Sequence, residues 1–458
     1  MSKFIYPYPS NIDLSEHKSE NPKISFYGLP KDVKFCRTCV ISNQRPSSDY
    51  EHKNNGKGRK KTIGFDKDNI CDACRACGIK PTIDWKNREE QLRSLCDKHR
   101  RKDGRYDCLV PGSGGIDSFM TAHLLKYKYG MNPLTCTWSP HIYTDWGWKN
   151  FQLWIKAGFD NILFTPNGKV HRLITRLAVE NLFHPFQPFI LGQKNVAPKI
   201  AEKYNIPLIF YGESEAEYGN PIAESKSAER DWKYFTHSDD SEIYLGGASL
   251  SQLKELGLKQ NDWESYLPIN PNLLHEKNIQ VHYLGYYERW HPQSAYYYAV
   301  EKGGFKCSPE RNNGTYSTYK SLDDKMDDLH WHTTYIKFGI GRATYDAAQE
   351  LRNGDLTRQE AIALISKYDG EYPKRWANEI FEYLSITKDD FPIAHKAFER
   401  NIFDQKYYDD LCNKFRSPHL WYLNSSNEWN LRHKIEHHNN KDDAYDALEW
   451  EGNIKKNL

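Results

Sequence analysis

The feature that most constrains this chain is a turn of small residues between a strand-like segment and a helix-like segment. A mostly apolar run over residues 106–110 leads into the turn, and a helical pattern over residues 119–129 follows it. The turn reads Val110-Pro111-Gly112-Ser113-Gly114-Gly115-Ile116-Asp117-Ser118. Its glycines permit backbone conformations that a Cβ would forbid, so amide groups can approach an anion closely. The sequence therefore predicts a phosphate-binding loop at the start of a helix.

The polar side chains of this loop indicate how phosphates would be held. Ser113 and Ser118 offer hydroxyl donors, and Asp117 is acidic. A carboxylate beside phosphates is favourable only when a divalent cation lies between them, so we interpret Asp117 as a magnesium ligand. A Walker loop is excluded because its Gly-Lys-Ser/Thr ending is missing. The pattern resembles the PP-loop, Ser-Gly-Gly-x-Asp-Ser, of the ATP pyrophosphatase superfamily, which implies cleavage of ATP to AMP and pyrophosphate. An ordinary Gly-Ser turn is the alternative.

Length and charge set the broad class. The 458 residues are enough for two or three domains with a sizeable core. Lys+Arg 63 against Asp+Glu 61 is nearly balanced, so no global field favours nucleic acid or a membrane surface. The polar N-terminus lacks a signal-peptide core, and no segment approaches ~20 uninterrupted apolar residues. We therefore expect a cytoplasmic protein with no nucleic acid partner and no membrane insertion.

Four of the ten cysteines form two C-x-x-C pairs, which are typical of a zinc site. Cys36 and Cys39 form the first pair, and Cys71 and Cys74 form the second. Four thiolates around one tetrahedral zinc leave no open position for water, so the predicted zinc is structural. Cys77 repeats the two-residue spacing after Cys74. In the alternative interpretation, Cys77 replaces one of the four ligands or helps to hold an iron–sulfur cluster.

The segments after the loop alternate between strand and helix patterns. Predicted strands lie at residues 133–138, 161–165, 206–211 and 279–286, and predicted helices lie at residues 151–157, 169–182, 195–204 and 292–302. Such alternation gives a parallel sheet with helices on both faces, whose ligand lies at the carboxyl ends of the strands. Residues 219–266 lose clear periodicity, and we interpret them as loops or a lid over the site.

We expect ATP to contact the loop and the residues that follow two further strands. Residues 138–145 can hold the nucleobase and ribose, and residues 211–213 present an acid toward the same crevice. The expected ATP-binding residues are Pro111, Gly112, Ser113, Gly114, Gly115, Asp117, Ser118, Trp138, Asp145, Asn150, Gly212 and Glu213. For Asp145, Asn150 and Glu213, a helix cap or a turn is the alternative.

The last third of the chain is predicted to be mainly helical and contains one candidate anion site. Lys337 and Arg342 flank a Gly-Ile-Gly segment that follows the acidic stretch 323–327. Either cation can reach ATP phosphates or a sugar diphosphate, so both join Ser113 and Asp117 as catalytic candidates. A helix–helix junction with exposed basic residues is the alternative.

Several motifs in a fixed order resemble those of one family. They are Phe35-Cys36-Arg37-Thr38-Cys39, Asn43-Gln44-Arg45-Pro46, Cys71-Asp72-Ala73-Cys74-Arg75, Asp84-Trp85, Arg88-Glu89, the loop Ser113 to Ser118 and the run Thr333 to Arg342. Together they resemble the N-acetyl sugar amidotransferases, which make acetamidino sugars for bacterial lipopolysaccharide O-antigens or flagellar glycans. The resemblance spans residues 27–421. The resemblance departs at Ile116, where many relatives have lysine. Because one possible phosphate-binding cation is therefore missing, Lys337 and Arg342 become the more important candidates for that role.

The resemblance implies a fold and a division of the chain. The implied fold is α/β, with a parallel-sheet PP-loop domain of the N-type ATP pyrophosphatase, adenine nucleotide alpha hydrolase-like kind. An N-terminal zinc-knuckle module precedes it and a mainly helical C-terminal region follows it. The expected segments are an N-terminal extension (1–26), the zinc module (27–82), a linker helix (83–104), the PP-loop domain (105–300), the helical region (301–421) and a polar tail (422–458), which we expect to be poorly ordered.

The resemblance also implies the reaction and its partners. ATP would adenylate the acetamido carbonyl of a nucleotide-linked or nonulosonic sugar, and ammonia would displace AMP to leave an acetamidino group. The cofactors implied are magnesium and a structural zinc, with ATP as co-substrate. The chain does not begin with cysteine and has no Gly-x-Cys-x-Gly elbow. Ammonia is therefore expected from a separate glutaminase subunit, with a barrel subunit, both similar to those of histidine biosynthesis.

Two other functions remain open at the level of sequence. A zinc-containing PP-loop tRNA thiolase is the first, and it would place a cysteine pair near the adenylate to carry sulfur. A zinc-dependent scaffold that only binds nucleotide is the second, and it would leave the complete phosphate loop with its acidic residue unexplained.

Overall fold

The computed structural model of the chain is built around a parallel β-sheet. The structure describes residues 13–47, 51–57, 60–212, 226–236 and 242–435. The strands within these ranges are β1 (Cys108–Pro111), β2 (Pro133–Trp138), β3 (Asp160–Phe164), β4 (Leu208–Tyr211), β5 (Tyr244–Leu245), β6 (Ala248–Ser249), β7 (Gln280–Tyr283), β8 (Trp421–Leu423) and β9 (Trp429–Leu431).

Five of these strands form the central sheet in the order β3-β2-β1-β4-β7, and every neighbouring pair is parallel. All residues of β1 and β2 are buried, as expected for strands covered on both faces. The chain proceeds from β1 to one side of the sheet and then crosses to β4 on the other side. The sheet therefore has its switch point at the carboxyl ends of β1 and β4, where α/β proteins bind ligands. This arrangement confirms the predicted α/β parallel sheet.

Helices cover both faces of the sheet and make up most of the C-terminal region. They are α1 (Asp72–Ile79), α2 (Trp85–His99), α3 (Ile116–Tyr127), α4 (Asp145–Lys156), α5 (Gly168–Leu182), α6 (Gln187–Tyr204), α7 (Leu250–Glu255), α8 (Gln260–Trp263), α9 (Pro271–Glu276), α10 (Leu284–Tyr287), α11 (Pro292–Gly303), α12 (Met326–Phe338), α13 (Arg342–Asn353), α14 (Arg358–Tyr368), α15 (Ala377–Leu384) and α16 (Gln405–Phe415). Within the described ranges, no helix is long and apolar enough to span a membrane.

Two helices begin earlier than their patterns predict. Helix α4 starts before residue 151 because the Thr144 hydroxyl accepts a 2.9 Å hydrogen bond from the amide of Gly147 and caps the first turn. Helix α6 starts before residue 195, and Pro188 lies in its first turn, where a missing amide proton costs nothing. The strand predicted over residues 279–286 ends at Tyr283 and continues as α10.

The zinc module packs directly against the C-terminal region. Its cysteines share one hydrophobic core with residues of α12, α13, α14 and α16. Tyr27 donates a 2.9 Å hydrogen bond from its hydroxyl to the carbonyl of Phe415, and the Phe26 amide donates to the Ser417 hydroxyl at 2.9 Å. The zinc module and the C-terminal region therefore share one packed core, although they lie at opposite ends of the described chain.

The start of the expected polar tail is ordered, which corrects that prediction for residues 422–435. Strands β8 and β9 pair as an antiparallel hairpin. Two tryptophans fix it: the Trp421 indole donates to the Ile336 carbonyl at 2.8 Å, and the Trp429 ring lies 4.8 Å from the ring of His17. Aromatic packing thus outweighs the polar composition of this segment. Residues 436–458 lie outside the described part of the chain.

The interpretation of residues 219–266 as a lid receives no support from the part that is described. Strands β5 and β6 form a short hairpin whose Gly246 carbonyl accepts a 2.9 Å hydrogen bond from Asn181 of α5. Gln187 of α6 donates to the Tyr244 carbonyl at 3.0 Å. These contacts place the segment against α5 and α6, and none of its described residues lines the cavity described below.

Candidate active site

A cavity of about 590 Å³ opens at the carboxyl ends of β1 and β4. Five parts of the chain form its walls: the loop after β1, the segments around residues 183–193 and 211–212, a segment with Trp290, Pro292 and Phe305, helices α12 and α13 with the preceding residues 319–323, and five residues of the zinc module, Arg45, Pro46, Ser47, Glu51 and Lys60. The cavity therefore lies at the switch point of the sheet and joins the zinc module, the central domain and the C-terminal helices. A pocket of this size is typical of sites that bind a drug-sized ligand.

The loop after β1 has the strand–loop–helix geometry that the sequence predicts. A Cβ on Gly112 would lie 2.1 Å from the Cβ of Ser118, and a Cβ on Gly114 would lie 2.9 Å from the Cα of Phe151. Gly114 also has φ +87°, which favours glycine. Gly115 is the N-cap of α3 and offers no side-chain acceptor to the first amides of the helix. Those amides and the helix dipole therefore face the cavity as a site for an anion.

The predicted metal ligand lies in the cavity and is fixed by a tryptophan. The indole Nε1 of Trp290 donates a 2.6 Å hydrogen bond to Oδ1 of Asp117. Both residues line the cavity, and Trp290 is only 2% exposed. Gly212 lies against the same helix, because a Cβ there would be 2.7 Å from the carbonyl oxygen of Asp117. Glu213, the next predicted residue, lies outside the described part of the chain.

Two further carboxylates face the loop. Ser113 donates a short hydrogen bond from its hydroxyl to Asp323, and Asp327 lines the cavity on α12. Burial raises the pKa of Asp323 to about 6, against the hydrogen bond from Ser113. Burial raises the pKa of Asp327 to about 8, although the nearby Arg342 opposes the shift. The loop therefore faces carboxyl groups whose ionised forms lack compensating charge. Sequence reasoning recorded these acids only as neighbours of the Gly-Ile-Gly segment.

The two predicted cations line the cavity, each with partners of its own. Lys337 is 3% exposed, donates a hydrogen bond to the carbonyl of Leu182 and lies 4.8 Å from the ring centroid of Tyr27. Burial lowers the pKa of Lys337 well below its ordinary value. Arg342 begins α13 and donates from Nε to Asp346 at 3.1 Å. The structure thus brings both side chains to the cavity wall opposite the loop.

Four predicted ATP contacts are not among the residues that line the cavity: Gly114, which belongs to the loop itself, and Trp138, Asp145 and Asn150. Trp138 is 3% exposed and stacks on Phe164 at 5.0 Å in the core. Asp145 is an exposed residue in the first turn of α4. Asn150 is 2% exposed, and both ends of its amide bond the backbone of Lys306 at 2.8 Å. Packing or helix-end contacts account for Trp138, Asp145 and Asn150, so the cavity does not bring them together with the loop, and their contact with ATP stays a prediction.

The four predicted zinc ligands form one compact buried cluster. Their Sγ atoms all lie within 4.8 Å of one another, and Cys36–Cys74 and Cys39–Cys71 are each separated by 3.7 Å. Among the described residues, this is the one group of three or more histidine, cysteine or acidic side chains close enough to share a metal ion. Four buried thiolates could hold a metal such as zinc in a closed tetrahedral site. The thiol of Cys77 instead faces the carbonyl of Arg352 at 3.2 Å, outside the cluster.

Hydrogen bonds connect the cysteine cluster and helix α1 to helix α14 and to Trp290 of the cavity wall. Arg358 of α14 donates a 3.1 Å hydrogen bond to the carbonyl of Cys36 and a second, short one to that of Cys39. At the end of α1, Lys80 donates to the Trp290 carbonyl at 3.1 Å. The cluster therefore holds together the segments that carry Trp290 and the C-terminal helices.

Sequence reasoning missed a group of imidazoles in the cavity. His330 of α12 and His184, between α5 and α6, stack with ring centroids 5.2 Å apart. Nε2 of His184 lies 3.5 Å from Oε2 of Glu51, and Lys60 lies 3.8 Å from the other oxygen of Glu51. These residues come from three distant segments and belong to no local motif, so no signal in a single sequence could group them.

Known proteins provide a family for the C-terminal region. Residues 313–436 match the family described as LPS biosynthesis protein WbpG-like, C-terminal domain. No protein with a curated description matches the chain.

Two solved structures are similar to this chain at low identity. One is NMN synthetase from Francisella tularensis, with 12% identity, a TM-score of 0.23, and coverage of 50% of this chain and 100% of that one. Another is NAD+ synthetase from Burkholderia Pseudomallei, with 16% identity, a TM-score of 0.22, and coverage of 50% of this chain and 91% of that one. Both TM-scores are low, so the assignment of the fold rests on the strand order and the loop geometry given above.

Proposed function

We propose that this chain amidinates an acetamido sugar as a member of the N-acetyl sugar amidotransferase family, which the match of residues 313–436 to the WbpG-like domain supports. In this reaction ATP activates the acetamido carbonyl, ammonia replaces its oxygen, and AMP and pyrophosphate are released. One observation carries the proposal: the phosphate-binding loop and Asp117 face a single cavity of about 590 Å³ at the switch point of the sheet.

The loop end of the cavity would bind ATP. The amides at the start of α3 bind the phosphates, and the helix dipole favours their negative charge. Asp117, oriented by Trp290, is placed to hold magnesium. Magnesium fits here because it commonly binds through one or two carboxylates together with substrate phosphates, and when bound it would neutralise the charge of the departing pyrophosphate.

The chemistry takes place in two displacements. The acetamido oxygen attacks the α-phosphorus of ATP, and the bond to the bridging oxygen breaks so that pyrophosphate leaves. Ammonia then attacks the carbon of the O-adenylyl imidate, and the carbon–oxygen bond breaks so that AMP leaves with the former acetamido oxygen. The nitrogen loses a proton as the amidine forms. Loop amides that stabilise the departing phosphates lower the barrier of the first step.

The wall opposite the loop suits an anionic sugar. It carries the aromatic rings of Trp331 and Tyr345, with the Arg45 guanidinium 4.6 Å above Tyr345. Lys337 and Arg342 lie along the same wall. Aromatic faces pack against sugar rings, and guanidinium groups bind carboxylates or phosphates in pairs of hydrogen bonds. A UDP-linked diacetamido uronic acid and a nonulosonic acid both have the required acetamido and anionic groups.

The thiolase alternative is less well supported than amidination. All ten cysteines lie in described parts of the chain, and none of them lines the cavity. A thiolase needs a sulfur carrier within reach of the adenylate, but eight of the ten cysteines are buried and the two that are partly exposed, Cys77 and Cys307, do not line the cavity. Ammonia requires no such thiol.

We also propose that nitrogen reaches the enzyme from a separate glutaminase subunit acting with a barrel subunit. The chain has no Gly-x-Cys-x-Gly elbow to hydrolyse glutamine. With ammonium salts the purified chain should turn over alone. With glutamine as the sole donor it should not, and glutamate formation by the pure chain would contradict this proposal.

A product assay tests the proposed reaction. The purified protein is incubated with ATP, magnesium, ammonium and each acetamido sugar in turn, and the products are separated and weighed by mass spectrometry. We expect AMP, pyrophosphate and an amidino sugar in equal amounts with one class of sugar. Formation of AMP only with tRNA and a sulfur donor would support a thiolase instead.

A further inference from the structure

We propose that His184 and His330, with Glu51, form an ammonia-binding site in the cavity, and that His184 takes the proton the nitrogen loses as the amidine forms. This inference rests on the proposed amidination and adds to it the residues that handle the nitrogen. It assigns a role to side chains from the zinc module, the link between α5 and α6, and α12.

The site is continuous with the phosphate loop along one helix. Asp327 and His330 are three residues apart on α12 and so share a face. Both line the cavity, and Asp323, just before α12, is bonded to Ser113 of the loop. An adenylated carbonyl held at the loop therefore lies in the same enclosed space as the imidazoles.

The carboxylate of Glu51 prepares His184 to accept a proton. Glu51 is 5% exposed, and its Oε2 lies 3.5 Å from Nε2 of His184. Burial raises the pKa of Glu51, but Lys60 and His184 outweigh burial and hold it below its ordinary value. A buried carboxylate that stays ionised stabilises the imidazolium on its neighbour, as in carboxylate–histidine pairs that act as general bases. Because Nε2 of His184 faces Glu51, we assign the other ring nitrogen, Nδ1, to the ligand.

Burial disfavours the protonated form of both imidazoles. Burial lowers the pKa of His184 despite Glu51, and Lys60 and Lys337 lower it further. A neutral imidazole can accept a hydrogen bond from ammonia, which a protonated one cannot.

His330 completes the pocket on the other face of His184. Its ring also packs on Phe186 at 4.9 Å, and within the described structure its Nδ1 is enclosed without a hydrogen-bond partner. Burial lowers the pKa of His330 well below its ordinary value, with contributions from His184, Arg342 and His141, while Glu51 opposes the shift. His330 thus positions His184 and offers a second polar edge in an otherwise aromatic pocket.

The proton balance requires no other reactant. Ammonia forms the new carbon–nitrogen bond, AMP leaves with the oxygen, and one proton passes from nitrogen to Nδ1 of His184. The imidazolium, held by Glu51, then returns the proton to water when product leaves.

Two assays on the same variants separate this site from the rest of the mechanism. The first measures sugar-dependent exchange of labelled pyrophosphate into ATP without ammonium, which reports adenylation alone. The second measures kcat/KM for ammonium in amidine formation across pH. His184→Gln keeps a hydrogen-bonding side chain but cannot take a proton, and His275→Gln is a matched control because His275 is exposed and outside the cavity.

We expect His184→Gln to exchange pyrophosphate within about twofold of wild type and to lose about 100-fold in kcat/KM for ammonium. Its pH profile should also lose the acid limb that wild type owes to imidazole ionisation. Glu51→Gln is the milder second variant, with a loss of about tenfold confined to the ammonium step. Equal losses in both assays, or none in the second, would overturn the site. Absence of exchange in wild type with every sugar would instead overturn the proposed function, and this site with it.

Discussion

The indole Nε1 of Trp290 lies 2.6 Å from Oδ1 of Asp117, and the carbonyl of the same tryptophan accepts a 3.1 Å hydrogen bond from Lys80. Lys80 closes helix α1, which contains Cys74 and is capped at its start by Cys71, two of the four clustered cysteines. One tryptophan thus connects the helix that carries part of the cysteine cluster to the carboxylate of Asp117 in the phosphate loop. The orientation of Asp117 depends on a residue more than a hundred positions away and on a module that precedes the central domain.

Replacing Trp290 tests this connection. Trp290→Phe keeps an aromatic ring but removes the N–H donor, so Asp117 loses the bond that orients it. Partners of this kind contribute about 10- to 100-fold to metal affinity or activity. We expect the magnesium concentration for half-maximal pyrophosphate release to rise by that factor. Trp232→Phe, at a tryptophan that does not line the cavity, should leave it unchanged. An unaltered magnesium requirement in Trp290→Phe would show that Asp117 needs no such support.

Replacing Asp117 tests the metal ligand itself. Asp117→Asn keeps the shape of the side chain but removes its charge, and loss of a ligand should cost several kcal/mol, on the order of 1,000-fold in rate. Sugar-dependent pyrophosphate release is the measurement, and the melting temperature should stay near that of wild type. Asp97→Asn on the exposed face of α2 serves as the control. Unchanged turnover in Asp117→Asn would remove this residue from the mechanism.

The cysteine cluster predicts a metal stoichiometry. Elemental analysis should find about one zinc per chain, and Cys71→Ser should lose it and melt at a lower temperature, because binding energy at a closed four-thiolate site is folding energy. Cys77→Ser is the matched control: its thiol faces the Arg352 carbonyl, so zinc should be retained. Loss of zinc in the control, or stoichiometric iron in wild type, would contradict a four-cysteine zinc site.

Asp327 predicts how stability depends on pH. Its pKa rises from an ordinary 3.8 to about 8 in the folded protein because of burial. The unfolded chain therefore releases a proton that the folded chain keeps, and the contribution of this group to stability is lost as pH rises from about 4 to about 8. Between about pH 5 and about pH 8, the free energy of unfolding should fall less in Asp327→Asn than in wild type. Denaturant titrations without ligands measure this difference. Parallel curves for the two proteins would show that Asp327 is already ionised when folded.

Local patterns predicted the sheet and the loop well. The strand over residues 133–138 has the predicted bounds, because its apolar run is short and lies between clear breaks. The loop was predictable because Gly112 and Gly114 are needed where a Cβ would collide with Ser118 and Phe151. The cysteine pairs were predictable because the ligand spacing of a metal site is local in sequence.

Tertiary contacts decided what the sequence could not predict. Trp138 follows a strand at the correct edge of the sheet, yet its ring turns into the core against Phe164. The side-chain amide of Asn150 forms two hydrogen bonds with the backbone of Lys306, a residue that is distant in sequence. Glu51, His184 and His330 meet only because the zinc module packs on the C-terminal helices. Strand ends indicate an edge of the sheet, whereas side-chain direction depends on partners that a pattern does not contain.

The fate of one oxygen atom tests the central claim most directly. The acetamido sugar is prepared with heavy oxygen in its acetamido carbonyl and incubated with the protein, ATP, magnesium and ammonium, and the nucleotide and phosphate products are analysed by mass spectrometry. O-adenylation predicts that the heavy oxygen leaves in AMP, in an amount equal to the amidine formed. Heavy oxygen in inorganic phosphate or in water, with unlabelled AMP, would contradict adenylation of the acetamido group.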